Sequence, residues 1–393
     1  METTIQILIP ALIALICTMW IRPYVLKIAI EKNIVDNPDA RKLQRSPVPV
    51  LGGLTVIFGV LTGLMGFSLL GESYHLFPIF ASIIIILIVG LIDDMISLSA
   101  KTRFIIEILL VLYMVQATGC QLNDFHGLWG VHCIPNYISI PLTVVACVGI
   151  INAINLIDGV DGYSSGYSIV SSIIFGVFFY LIGNIAMVSL TAIVVAALLP
   201  FFFHNVFGKS SKMFIGDAGT LSLGIIFSVF VITTLSTAHS DVAIFGDNFG
   251  IVPFTLAVLC IPVFDTLRVM SVRIARGFSP FRPDRTHLHH LFIELKFSHI
   301  GTTIAITCIN LLVILCWFVA YKCGATIEWQ LYIVVALGMF VTFIFYPFVK
   351  RQIAKQTLFY RILSKIAAIT HVQRKGFWLT IQKFIDGKEA TDN

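Results

Sequence analysis

Charge is what this chain has least of. Only 12% of its 393 residues are Asp, Glu, Lys or Arg, where a soluble domain carries roughly 25%. With 58% hydrophobic residues and a mean hydropathy of +0.94, an ordinary soluble core is excluded. The eight cysteines include no Cys-x-x-Cys pair, so the spacing of a structural zinc site is absent. Cys17, Cys147, Cys260, Cys308 and Cys316 fall in apolar runs as buried thiols. Cys120 and Cys133 share one loop, where a disulfide is open in an oxidising compartment. Internal repeats are also missing, which argues against the commonest transporter plan.

What remains is an all-α polytopic membrane protein. A span needs about 20 mostly apolar residues. Runs fit at about 4–21, 50–70, 76–92, 104–118, 138–156, 164–183, 185–203, 219–236, 249–267, 301–321 and 328–349, about eleven transmembrane helices. The stretch 164–203 is too long for one crossing, and Gly183-Asn184 offers the turn. The run 104–118 contains Glu107 and is the least apolar. The segment from Ile5 to Trp20 reads as a first span and not as a signal peptide, since no basic stretch precedes it. An odd number with the C-terminus inside leaves 25 of the 26 Lys and Arg in inside segments, with Lys322 alone outside. That obeys the positive-inside rule with the N-terminus outside. Residues 1–349 then form an integral membrane domain. Residues 350–393 form a basic tail whose Phe359, Tyr360, Phe377 and Trp378 suit an amphipathic helix on anionic lipid.

The polar groups gather at the inner ends of the spans. Asn152, Asn155, Asp158 and Asp161 follow at three-residue steps within Asn-Ala-Ile-Asn-Leu-Ile-Asp-Gly-Val-Asp-Gly. Such groups at the end of an apolar run are costly and mark function. Asn152, Asn155 and Asp158 share one helix face if the helix persists, and Asp161 projects from a loop. Asp93-Asp94 ends the third apolar run, as a cation-binding or proton-holding pair or as a solvated helix end. Lys101 and Arg103 follow. Lys101 can neutralise phosphate charge, and Arg103 reads better as a topology signal or headgroup contact. Asp217 opens the run at 219–236, as a helix N-cap or a metal ligand. Phe214 beside it packs in the membrane or stacks on a base. The last inner segment holds Arg282, Arg285, His287, His289 and His290. The arginines favour phosphate over zinc there.

Four of these motifs, in this order, resemble the polyprenyl-phosphate N-acetylhexosamine-1-phosphate transferases, over roughly residues 30–300. They are Asp-Asp, Asn-x-x-Asn-x-x-Asp-Gly-x-Asp-Gly, Phe-x-Gly-Asp-x-Gly and Pro-Asp-Arg-x-His-x-His-His. The last resembles the WecA-like branch more than the peptidoglycan translocases. The resemblance implies transfer of a sugar 1-phosphate, with GlcNAc the default sugar, from a UDP-N-acetylhexosamine to polyprenyl (undecaprenyl) phosphate, with release of UMP. It implies Mg²⁺, or Mn²⁺ in its place, on Asp217 with Asn155 sharing the metal. It places Asn155, Asp158 and Asp161 on the nucleotide and diphosphate, with Asn152 beside them, and Phe214 on uracil. Arg285, His287, His289 and His290 would cover the sugar diphosphate. Asp93 and Asp94 would stand beside the lipid phosphate as the catalytic pair. Arg41 or Lys42 matches the family's lipid-side loop. The setting it implies is a bacterial inner membrane with the site facing the cytoplasm, at the first membrane step of a cell-surface polysaccharide. Membrane lipids are partners, nucleic acid is not, and a homodimer is open at family level. The rival donor is UDP-muramoyl-pentapeptide, and the rival class is a secondary transporter.

Overall fold

The computed structural model describes residues 2–36, 47–71, 76–282, 284–371 and 376–386. Arg41 and Lys42 lie outside them. The chain runs through α1 (Glu2–Glu31), the short strands β1 (Val35–Asp36) and β2 (Val48–Pro49), α2 (Gly52–Ser68), α3 (Phe77–Ile96), α4 (Ala100–Thr118), α5 (Asn136–Leu156), α6 (Tyr163–Leu181), α7 (Ile185–Phe207) and α8 (Gly216–Leu235). There follow α9 (His239–Val242), α10 (Ile251–Val258), α11 (Cys260–Ala275), α12 (Leu288–Glu294), α13 (His299–Lys322), α14 (Ile327–Met339), α15 (Tyr346–Ala354), α16 (Leu358–Ile369) and α17 (Phe377–Asp386).

The molecule is an all-α polytopic membrane protein. Eight helices among the described residues are long and apolar enough to cross a membrane, and nine if α10 and α11, bent by 72°, form one broken span. Every expected span has a helix. Two of those helices fall outside the nine: α2 has only 17 residues, and α4 carries Lys101, Arg103 and Glu107. The first helix also runs ten residues beyond its expected end at Trp20–Ile21, to Glu31. Its Arg22 is buried and donates to the Ser211 carbonyl in the segment between α7 and α8. A left-handed Gly183 and an Asn184 cap on the Met187 amide make the expected turn between α6 and α7. Cys120 and Cys133 are both free thiols. The tail is divided into α15, α16 and α17, and Trp378 stacks on Phe207 at 5.4 Å.

α8 is the axis of the bundle. Seventeen of its twenty residues are buried, as expected of a helix apolar on every side. α2, α3 and α5 pack against it. The approach is backbone to backbone at its N-terminal end. A methyl at Gly53 would stand 2.2 Å from the Gly219 nitrogen, and one at Gly90 would stand 2.4 Å from the Ala218 Cα. Small residues at those crossings let three helices converge on the first turn of α8. The β1–β2 pair completes the frame. Pro49 accepts from the Phe214 amide at 2.8 Å, and the Gly52 and Gly53 amides donate to Phe214 and Ile215 at 2.9 and 2.8 Å.

Candidate active site

The convergence creates a polar cavity of about 670 Å³. Asp93, Asp94, Asn155, Asp158, Asp161, Phe214, Asp217 and His290 line it, together with Asp36, Ser164, Asn205, Lys212, Asp284 and His299. Eight of the fourteen residues singled out by motif therefore meet in one place, although they come from α3, α5, α8, α12 and two connecting segments.

Asp217 is not the N-cap of α8. The helix begins at Gly216, after Ile215, and Asp217 sits in its first turn. The cap comes from α3 instead: Asp94 accepts from the Asp217 amide at 2.8 Å and the Ala218 amide at 3.0 Å. A carboxylate there complements the positive end of the helix dipole. Gly216 has φ +66°, and a methyl on it would lie 2.6 Å from Asp94 Oδ2. The cap frees Asp217's own carboxylate for the cavity, where Asn155 Nδ2 donates to it at 2.5 Å and to Thr220 Oγ1 at 2.8 Å.

Asp93 is 6% exposed. It accepts from the Leu98 amide at 2.6 Å and from Arg103 Nη1 at 2.8 Å. Arg103 also stands 3.9 Å from Asp217 and 3.8 Å from Glu107. The reading of Arg103 as a topology or headgroup charge is corrected: it bridges three acids, two of which line the cavity. α4 brings it there because Ser99 caps the helix on the Thr102 amide. Lys101, one step around α4, is exposed and not part of the cavity wall.

The central string divides. α5 ends at Leu156, so Asp158 lies past the helix and shares no helical face with the asparagines. Asn152 leaves the cavity and donates to the fully buried Glu107 at 2.6 Å. Asp158 opens to the cavity and accepts from Ser164 Oγ at 2.7 Å. Its surface is exposed, but loss of hydration around the carboxyl within the cavity, with the Asp217 and Asp161 charges, shifts it upward. Burial acts the same way on Asp161, but His299 at 2.7 Å and Lys212 at 2.6 Å outweigh it and hold that carboxyl below the usual range. Asp161 therefore anchors its loop to α13 and to the 208–215 segment.

Of the basic residues of the 278–290 loop, only His290 lines the cavity, beside Asp284. His287 turns inward and meets the buried Asp265 of α11 at 3.0 Å, alongside Arg268 at 2.6 Å. His289 is buried, and a methyl at Gly159 would strike its Nε2 at 2.3 Å. Arg282 is exposed over the Phe278 ring at 4.1 Å, and Arg285 is exposed as well. Asp284 pairs with Arg273 through two bonds of 2.9 and 3.1 Å. Burial and the neighbouring His287 and Arg285 charges push His290 down to about 4, and burial takes His289 well below its ordinary value. These rings are neutral at pH 7 and offer hydrogen bonds, not charge. Their folded values lie below an unfolded value of about 6.5, so the stability they confer is complete above pH 6.5 and lost as pH falls towards 4. Thermal unfolding should show that loss, and His290→Gln should reduce it; an unchanged pH slope would contradict the burial of this loop.

Lys212, His299, Asp265 and Arg268 escaped the motif reading. Asp265 and Arg268 carried a signal, as charges in or beside the run 249–267. Lys212 and His299 had none, since their partner Asp161 is 51 and 138 residues away.

An apolar groove of about 660 Å³ is linked to the cavity through the contacts Asn152–Glu107–Arg103–Asp93. Phe104, Val144, Val148, Leu256, Leu267 and Met270 are among its walls, from α4, α5, α10 and α11. Its lining starts at Phe104, next to Arg103, and includes Asn152. The bend between α10 and α11 opens it.

The model of glycosyl transferase family 4 matches residues 76–235, which carry α3 to α8 and most of the cavity. The chain is 31% identical over 344 residues, 87% of its length and 92% of the relative's, to a probable undecaprenyl-phosphate N-acetylglucosaminyl 1-phosphate transferase of Bacillus subtilis. It is 30% identical to the undecaprenyl-phosphate alpha-N-acetylglucosaminyl 1-phosphate transferase of Yersinia pestis, over 72% of this chain and 75% of that one. It is 28% identical to the protein of that name in Escherichia coli K12, over 80% and 84%. The chain thus belongs to glycosyl transferase family 4.

Proposed function

We propose that this protein transfers an N-acetylhexosamine 1-phosphate, GlcNAc first among the sugars, from its UDP-linked form to undecaprenyl phosphate and releases UMP. One observation carries the reading: a cavity rich in carboxylates lies near an apolar groove, and the contacts Asp93–Arg103–Glu107–Asn152 run from the wall of the first to the wall of the second. A diphosphate needs the first and a polyprenyl chain the second. The names of the relatives support the acceptor and the sugar.

The donor set suits a hard cation. It offers carboxylates and an amide and no thiolate, the ligand chemistry of Mg²⁺. Asp217 would hold it, with Asn155 and Asp158 adjacent; when bound, Mg²⁺ neutralises the donor diphosphate and improves UMP as a leaving group. The chain's own groups supply the rest. Asp94 fixes the first turn of α8 and hence Asp217. Asp93 and Arg103 face the acceptor side, where the guanidinium would offset the charge of the lipid phosphate. That phosphate is ionised at pH 7 and needs orientation more than a base, so a single displacement fits. Asp94 is a poor covalent nucleophile in this setting, because both its oxygens already accept amides. Retention of configuration at phosphorus would contradict the single displacement. His290 and Phe214 close the nucleotide side, Phe214 with Lys212 5.5 Å above its ring. Phe214→Ala should raise KM for the UDP-sugar severalfold and leave KM for the lipid unchanged; the reverse pattern would place the base elsewhere.

The basic inner segments argue for a cytoplasmic site in a bacterial inner membrane, at the first membrane step of a surface polysaccharide. Purified protein given undecaprenyl phosphate should release UMP from UDP-GlcNAc, with dependence on Mg²⁺. Turnover of UDP-muramoyl-pentapeptide in preference to UDP-GlcNAc would overturn the donor assignment.

A further inference from the structure

At the opposite end of the bundle, four titratable side chains meet that the transfer reaction does not use. Residues 119–135 connect the C-terminal end of α4 to the N-terminal end of α5, and residues 236–250 follow the C-terminal end of α8. Both connections lie a full length of α8 away from Asp217, about 30 Å for twenty residues. In the first, a small hairpin is held by Ile134 N to Asn123 O at 2.7 Å, Phe125 N to His132 O at 3.2 Å and Gly127 N to Val131 O at 3.1 Å. It carries Asp124, His126 and His132. The second contributes His239, and the two are stitched together by reciprocal bonds between Gln121 and Ser236 at 3.1 and 2.9 Å.

One ligand atom each from Asp124, His132 and His239 lies within 4.8 Å of the other two. His239 Nε2 is already 2.9 Å from Asp124 Oδ2. His126 stands against this trio, its ring centroid 4.6 Å from that of His239. It is 7% exposed, its Nε2 meets the Leu235 carbonyl at 3.1 Å, and its Nδ1 is buried without a hydrogen-bond partner among the described residues. A buried imidazole nitrogen without a partner is costly.

We infer that Asp124, His132 and His239, with His126 packed against them, form a site for a borderline divalent transition metal such as Zn²⁺. Two imidazoles and one carboxylate are donors that zinc takes, at about 2.0–2.2 Å each, with a fourth position left for water. They exclude Mg²⁺ as the natural occupant, since it prefers all-oxygen shells. Binding replaces the proton between His239 and Asp124 with the metal and draws the trio inward by about an ångström. The consequence is structural. Leu122 and Leu235, neighbours of this site, line the apolar groove, so the metal would clamp the two connections that bound the groove's far end.

Full-length purified protein, stripped with EDTA and reconstituted in nanodiscs, tests this with Co²⁺ as the probe. The expected result is one Co²⁺ per chain, visible absorption bands of a low-coordinate nitrogen and oxygen site, and displacement by Zn²⁺ with a rise in Tm. His132→Ala and His239→Gln should each weaken binding at least tenfold and abolish the Tm rise, while metal-free Tm stays at the wild-type value. Asp217→Asn should bind Co²⁺ as the wild type does, which separates this site from the cavity. Absence of stoichiometric Co²⁺, or binding that survives both histidine substitutions, would overturn the assignment.

Discussion

Asp217→Asn should lower sugar-phosphate transfer by about a thousandfold or more, while the protein should insert and melt as the wild type does. The size follows from the chemistry. A cation on the donor diphosphate contributes several kcal/mol of charge stabilisation, and about 4 kcal/mol corresponds to roughly a thousandfold in rate. Asparagine keeps the shape and still accepts the Asn155 hydrogen bond of 2.5 Å. The amide contacts from Asp94 go to the backbone nitrogen of residue 217 and persist as well. Only the carboxylate charge is lost. Membrane fractions assayed for UMP release, with a melting curve on the same protein, make the comparison. Activity within tenfold of wild type would remove Asp217 as the principal ligand and move that role to Asp158.

Arg103→Met has two effects that a second substitution separates. Arg103 sits between Asp93 at 2.8 Å, Asp217 at 3.9 Å and the fully buried Glu107 at 3.8 Å. Removing one partner of a buried ion pair costs about 3–5 kcal/mol, because the remaining charge is stranded. The single variant should therefore melt several degrees lower and lose transfer. Glu107→Gln removes the most deeply buried of the three stranded acids and keeps an oxygen for the Asn152 amide at 2.6 Å. The double variant should regain part of the thermal stability and remain inactive, since Asp93 and Asp217 still lack their guanidinium. Recovery of activity together with stability would show that Arg103 only supports the fold.

The spans were legible because an apolar run of twenty residues has few other uses. The cavity was legible where a polar group stands within or at the edge of such a run: Asn155 lies within one, and Asp93, Asp94, Asp158 and Asp217 stand within two residues of an end. The string 152–162 was misread in its geometry. Three-residue spacing implies a shared face only while the helix lasts, and α5 stops at Leu156, so Asn152 and Asp158 part company. The histidine loop was misread in its electrostatics. Three histidines beside arginines suggest a cationic phosphate clamp, yet two of the rings are buried and the third is only partly exposed. Burial is set by Gly159 and Asp265, which lie far off in the chain. Arg103 was undervalued for the same reason, since a basic residue at a span end looks identical whether it faces lipid headgroups or three acids. The groove left no trace in the sequence, because its apolar lining cannot be told from the rest of a span. It emerges only from the 72° bend between α10 and α11.

The central claim is that a sugar phosphate, and not a bare sugar, is moved. UDP-GlcNAc labelled at the β-phosphorus, incubated with the protein and undecaprenyl phosphate, decides it. The account predicts that the label enters the lipid product and that unlabelled UMP is released in equal amount. Label retained in released UDP, with an unlabelled lipid product, would contradict it.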